Sequence, residues 1–489
     1  MSVSGVMQKK ITACAAVAVW CVGSLASVSA VGVAGVLVAG RAEGQAAGGV
    51  DYERIAGKHA APLVEQAISP SVVVGISHAG RVTYHAFGVM SEGDPRPVDE
   101  RTIYEIGSVT KTMTAILLAE ADRRGELSID DALSDRLPEG VAGPTFGGEG
   151  PTLGQMADHT SGFPRLPANL AIRDPSDPYA GYTRARLMSG VDGLVLERRP
   201  GASYAYSNFA PGLLGELLVD AAGAAGYEAL LGSRLTGPLG MVDTSVTVKP
   251  GDAERLAPAH LADGSVTPHW DLASLAGAGG VRSTAADLVV YGRAQLAARS
   301  GDAEGLSAAI LRTHTRRAAV PGGAIALGWH IARDGDTIWH NGMTGGSASA
   351  VFVSPALDLV VVVLANAASD RLAAVAERVV QEIAGVPVEP VVTAPKEDGG
   401  AIARLEGRYT SPLLGGAEFV VTRRGSRLVA RLGPQQAFEV FSKSPTRFEY
   451  REIEAELEFE LPDGEGPAVA VTLFQSGQEI RMERVGFGG

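Results

Sequence analysis

A chain of 489 residues is longer than one ordinary domain, so two or three units are expected, each able to bury its own core. With 46% apolar and 20% charged residues the composition is globular and argues against wholesale disorder. The formal charge of −13 argues against nucleic acid as a partner, because phosphate binding needs clustered Lys and Arg.

In chain order, Lys9 and Lys10 precede an uncharged run of small and apolar residues from Ile11 to Gly40. Such a run addresses a membrane. It is either a signal peptide, cleaved near the small residues Val28-Ser29-Ala30, or an uncleaved anchor, since about 20 apolar residues span a bilayer. Residues 1–42 are assigned to this segment. It is the one membrane contact expected, and it predicts an exported protein: periplasmic, extracellular or anchored facing outward. Both cysteines, Cys14 and Cys21, lie inside it. The rest of the chain therefore has no thiol for a disulfide, for cysteine catalysis or for a zinc–thiolate cluster.

After a Gly/Ala-rich spacer, residues 51–69 carry apolar positions at helical spacing and predict a short helix interrupted by Pro62. Residues 71–76 and 82–89 flank His78-Ala79-Gly80-Arg81 as a β-hairpin. A buried helix is predicted from Ser108 to Arg124, with Gly125 as its C-cap, and further helices over 213–231 and 285–298, the latter capped by Ser283-Thr284. Strands return at 326–333, 337–340, 347–353 and 359–365, before a last amphipathic helix over 370–383. Strands at both ends bracket a helical middle, which predicts one antiparallel sheet assembled from distant sequence and covered by helices, an α/β (α+β) unit over residues 51–385. Residues 386–400, with Pro387, Pro390 and Pro395, read as a linker. Seven period-2 segments between 417 and 484 then predict a small all-β barrel or sandwich over 401–489.

Ser108-Val109-Thr110-Lys111 opens the first long buried helix, and i,i+3 spacing places Ser108 and Lys111 on one face. A serine hydroxyl is a weak nucleophile until a base takes its proton, and a lysine can be that base when burial lowers its pKa. The helix N-terminus favours negative charge developing at a reacting carbonyl. Taken alone the spacing is common, and an amphipathic helix with a capping serine and a snorkelling lysine accounts for it equally well.

Three further segments follow in order: Asp158-His159-Thr160-Ser161-Gly162, Tyr206-Ser207-Asn208 and His340-Asn341-Gly342. With them the chain resembles the serine β-lactamase and penicillin-binding-protein family, especially its class C branch and the related DD-peptidases and esterases. Pro238-Leu239-Gly240-Met241, Gly279-Gly280 and Leu327-Gly328-Trp329 extend the likeness, which covers about residues 55 to 385. The resemblance implies Ser108 as the acylated nucleophile, Lys111 as its activating partner and Tyr206 as a shared base or acid. It implies Asn208 bonded to Lys111 and to the substrate amide. The strand with His340, Gly342 and Met343 would form the opposite wall, with the Ser108 and Met343 amides as the oxyanion pair. A base role for Tyr206 requires a depressed phenol or a proton shared with Lys111. The His159 loop is expected to be scaffold. His340 stands where many relatives carry Lys, which moves the expectation from efficient β-lactam turnover toward DD-carboxypeptidase, D-amino-acid peptidase or esterase chemistry. The tail resembles the lipocalin-like barrels appended to some members.

No G-x-S-x-G, H-E-x-x-H, Walker or dinucleotide loop occurs, so no metal and no cofactor is expected. The expected partner is a small-molecule or peptide substrate, on an amide, ester or β-lactam bond; the oligomeric state is left open. The competing class is a non-catalytic cell-envelope binding or sensor protein that retains the fold.

Overall fold

The computed structural model describes residues 49–391 and 402–485, except 302, 426, 434, 436, 451–454, 476 and 477. The apolar segment of residues 1–42 and most of the compositional linker lie outside the described residues.

Helix α1 (Tyr52–Glu65) is capped by the Asp51 carboxylate, which accepts from the Arg54 amide at 3.0 Å. It buries Tyr52, Ile55, Ala56, His59, Ala60 and Leu63. Strands β1 (Ser71–His78), β2 (Arg81–Ser91) and β3 (Asp94–Pro97) follow. The helical middle contains α2 (Thr110–Arg123), α3 (Phe209–Ala222) and α4 (Ala285–Ala297). Strands β4 (Ala318–Val320), β5 (Gly323–Ile325), β6 (His330–Ile331), β7 (Ile338–Met343), β8 (Ala348–Ser354) and β9 (Leu359–Ala365) precede α5 (Leu372–Ile383).

Among the described residues these strands form one nine-stranded antiparallel sheet in the order β3-β2-β1-β9-β8-β7-β6-β5-β4. The first strand of the hairpin thus pairs with the last strand of the unit, Val74 opposite Val363. β1, β8 and β9 are buried along their whole length, which explains why their sequences are continuous rather than alternating apolar runs. Their period of two still sorts the faces. Val72, Val74, Ile76, Val361 and Val363 pack under α1 and α5, whereas Val73, Val351, Val360, Val362 and Leu364 join the core of the helical middle.

Two expectations are corrected. The single helix over 213–231 is two, α3 and Tyr227–Leu231, because Gly223 takes φ +60° and ends α3 in a left-handed cap. The strand over 326–333 shrinks to the two residues of β6. Gly328, at φ +71°, turns the chain so that Leu327 and Trp329 are buried over the start of α2 rather than in the sheet.

The tail is a closed eight-stranded barrel running from Gly407–Thr410 to Gln478–Val485, with neighbours in sequence order and the first strand pairing the last, Tyr409 opposite Arg484. Its interior is filled by Tyr409, Phe419, Phe438, Phe448, Leu457 and Phe459. The opening strand, Gly407–Thr410, alternates in burial, but one of its two inward positions is a glycine, and no period-2 segment predicts it.

Candidate active site

Ser108 occupies a 3-10 turn, Gly107–Val109, that leads into α2. The helix therefore starts at Thr110, later than the sequence pattern predicts. The cause is contact with β7. Gly107 adopts φ +49°, and a methyl group there would lie 2.7 Å from the Met343 backbone nitrogen. A methyl on Gly342 would collide with the Ile106 carbonyl, which also accepts the Ser349 hydroxyl at 2.7 Å. The two glycines let β7 lie directly on the nucleophile turn and bring the Ser108 and Met343 main chains together.

Lys111, only 2% exposed, comes up from the first turn of α2. Its Nζ lies 2.9 Å from Ser108 Oγ and donates to the Ala278 carbonyl at 2.6 Å. Burial holds the amine well below the ordinary lysine value, and the Arg165 guanidinium pushes the same way. A neutral amine bonded to Ala278 keeps its lone pair for the serine proton. On the other side, the Tyr206 hydroxyl donates to Ser108 Oγ at 2.6 Å. Burial pushes this phenol up to about 12, outweighing the lowering effects of the Ser108 bond and Arg165. The depressed phenol that a tyrosinate base needs is not what these surroundings favour; they favour Tyr206 as a protonated donor and shift Lys111 toward the neutral amine.

Tyr206 is held by its neighbours. Its ring packs on His159 at 4.5 Å between centroids, with Lys111 Nζ at 4.9 Å and Arg165 Cζ at 5.2 Å. His159 sits at φ +62°, accepts the Ser207 amide on Nδ1 at 3.2 Å and the Ala205 amide on its carbonyl at 2.8 Å. Burial keeps its imidazole neutral, well below the ordinary value. Next to it, Asp158 accepts the Thr160 hydroxyl at 2.6 Å and pairs with Arg317 at 2.5 Å, which pins the loop.

Asn208 departs from its expected bond. Lys111 spends its donor on Ala278, while the Asn208 side chain reaches the Tyr179 hydroxyl and its Oδ1 is buried with no partner among the described residues. A buried carbonyl oxygen left this way costs stability until it gains a donor.

His340 projects from β7 at 2% exposure. Its Nδ1 is 2.6 Å from the Asn341 carbonyl, which only accepts, so Nδ1 carries the proton and Nε2 is the acceptor nitrogen of a neutral ring. Burial lowers its pKa well below the ordinary value, and His330 and Lys111 add to the effect.

Two residues of the site have no signal in the sequence. His330 stacks on Trp339 at 4.5 Å and lies 5.4 Å from the His340 ring, with burial lowering it to about 4. It sits in a two-residue strand whose partners are known only from sheet order. Arg165 follows the His159 loop and is the guanidinium closest in effect to Lys111 and Tyr206. Its backbone carbonyl accepts the Asn208 amide at 2.9 Å.

The family profile described as Beta-lactamase matches residues 57–385. The D-alanyl-D-alanine-carboxypeptidase/endopeptidase AmpH of Escherichia coli (strain K12) is 32% identical over 251 residues, 49% of this chain and 64% of that protein; the match thus covers a little under two thirds of that relative. A β-lactamase from Sulfitobacter sp. EE-36 superposes with a TM-score of 0.59 at 24% identity, over 69% of this chain and 99% of that one. A β-lactamase/D-alanine carboxypeptidase from Yersinia pestis gives 0.59 at 22% identity, over 68% and 98%.

Proposed function

Given that the chain belongs to the β-lactamase family, with the profile covering residues 57–385, we propose that it is an exported serine hydrolase acting through an acyl-Ser108 intermediate on amide or ester bonds. The observation that carries this reading is Ser108 Oγ lying between Lys111 Nζ at 2.9 Å and the Tyr206 hydroxyl at 2.6 Å.

In the first step Ser108 Oγ attacks the substrate carbonyl while its proton passes to the neutral Lys111 amine. Negative charge on the carbonyl oxygen is taken up by the Ser108 and Met343 amides, helped by the start of α2. The proton then reaches the leaving nitrogen or oxygen by way of the Tyr206 hydroxyl, which stands next to Oγ and is refilled from Lys111. Water, deprotonated by the same pair, attacks the acyl-enzyme and frees Ser108. Asn208 Oδ1 accepts a substrate amide N–H. Neutral His340 gives a substrate carboxylate a weaker hold than a lysine would, which counts against β-lactams and favours esters that carry no such carboxylate. The activity for which the E. coli relative is named, D-alanyl-D-alanine carboxypeptidase and endopeptidase, supports the peptide reading. Export rests on the uncharged run from Ile11 to Gly40.

The test is a substrate panel on purified protein: a peptide ending in D-Ala-D-Ala, a p-nitrophenyl ester and nitrocefin. Turnover of the peptide or ester well above nitrocefin is expected. No turnover of any of the three by folded protein overturns the proposal; preferential nitrocefin turnover overturns its substrate class.

A further inference from the structure

The barrel interior is filled, so its role lies in what its outside touches. Among the described residues, two clusters of contacts join it to the catalytic unit. In one, Glu439 is sandwiched between Arg371 at 2.7 Å and Arg427 at 3.1 Å, and Arg427 also donates to the Ala67 carbonyl at 2.6 Å. This is a buried anchor: Arg427 and Glu439 are 9% and 12% exposed. The other cluster reaches toward the site. Arg424, at the end of barrel strand Glu418–Arg424, bonds through Nε to the Asp263 carbonyl and through Nη1 to Glu92 at 2.7 Å. Arg431, on the next strand, faces the Asp263 carboxylate at 3.6 Å.

Asp263 is the tip of a small hairpin in which Ala259–His260 pairs with Val266–Thr267. The base of that hairpin holds the turn after the oxyanion strand. The His260 amide donates to the Gly346 carbonyl at 3.0 Å, and Gly346 packs so tightly on His260 and Thr267 that a methyl there would lie 2.7 Å from either. The turn itself closes by the Thr344 amide bonding to Ser347 at 2.9 Å, and the Thr344 hydroxyl donates to the buried Glu105 at 2.7 Å, three residues before Ser108. A continuous set of bonds therefore runs from Arg424 through the hairpin to Gly346, then to Thr344 and the Met343 main chain.

We propose that the barrel braces the active site: Arg424 and Arg431 hold the tip of the 259–267 hairpin, whose base fixes the Thr344–Ser347 turn and with it the Met343 amide. They are positioning residues, acting through the hairpin without touching substrate. The inference rests on the acyl-Ser108 reading. A misplacement of an oxyanion donor by a fraction of an ångström costs rate rather than ground-state binding, so the signature is in kcat and acylation rate with KM little changed.

The test compares full-length wild type, the double variant R424M/R431M and the control R447M, whose guanidinium pairs with the barrel's own Glu456 at 2.8 Å and lies over the barrel's Phe474 ring. For each, the rate of Ser108 labelling by a fluorophosphonate, kcat and KM on a p-nitrophenyl ester and the melting temperature are measured. The double variant is expected to label about ten-fold more slowly and lose kcat in proportion, with KM within two-fold and R447M unchanged. A labelled wild type and a folded double variant reacting at the same rate overturn the brace. If the double variant does not fold, R424K decides: a several-fold loss supports the brace, and a wild-type rate overturns it. An unlabelled, folded wild type instead removes the acyl-Ser108 reading, and the brace with it.

Discussion

The cleft around Ser108 and the interior of the barrel are built from opposite materials. The cleft buries Lys111, His159 and His340, half-buries Tyr206 and His330, holds His159 and Gly107 in left-handed backbone, and leaves polar atoms such as Asn208 Oδ1 and His159 Nε2 without partners among the described residues. The barrel buries aromatic rings, and the fully buried Tyr409 hydroxyl is bonded to the Leu405 carbonyl at 2.8 Å. Buried polar groups and backbone strain both cost stability, and here they gather where chemistry is proposed. A region with neither is a packed body, and what it contributes must pass through its surface.

Substitutions on the two sides should therefore fail in different ways. Lys111→Met removes the acceptor for the serine proton, and acylation should drop by roughly 10³-fold in protein that still folds. The wild-type pH profile bears on the same residue. Because the Lys111 amine is lowered, acylation should rise as it deprotonates well below the usual lysine range, then stay level until Tyr206 ionises near about 12. A rise centred near the ordinary lysine value, about 10.4, would remove the neutral-amine mechanism. Phe459→Ala in the barrel should cost about 3–5 kcal/mol in denaturant melts and leave the position of that acid limb unchanged. Tyr206→Phe keeps the ring on His159 but loses the donor, so a loss of about 10²-fold in acylation with little change in melting is expected.

The smallest effect falls on the back of the sheet. Burial alone would raise the Glu382 carboxyl, but its bonds to Arg54, Lys58 and His59 outweigh that and hold it at about 2. A depressed carboxylate adds stability above its unfolded pKa, and loses it as pH falls through the folded one. Glu382→Gln should cost about 1–2 kcal/mol at neutral pH, a difference that fades as the pH approaches 2, with acylation unaffected.

The same contrast decides what was legible in the sequence. Ser108 and Lys111 are adjacent by helical spacing, and continuous apolar runs such as Leu359–Ala365 announce a strand buried on both faces. The barrel's alternation is visible for the same reason: both are local patterns. Arg165 and His330 are not, because their neighbours come from distant loops and from sheet order. Nor is the Ala278 carbonyl that takes the Lys111 donor expected for Asn208, since a backbone group leaves no mark in the sequence. Leu327 and Trp329 misled in the other direction: they are as apolar as a strand, yet Gly328 turns them over α2.

The central claim is that Ser108 becomes acylated. Wild-type protein and Ser108→Ala should be incubated with a fluorescent penicillin and with a fluorophosphonate, and the modified peptide identified by mass spectrometry. The account predicts one label on Ser108 with at least one probe and none on the variant; folded wild type unlabelled by both, or labelled equally in Ser108→Ala, would contradict it.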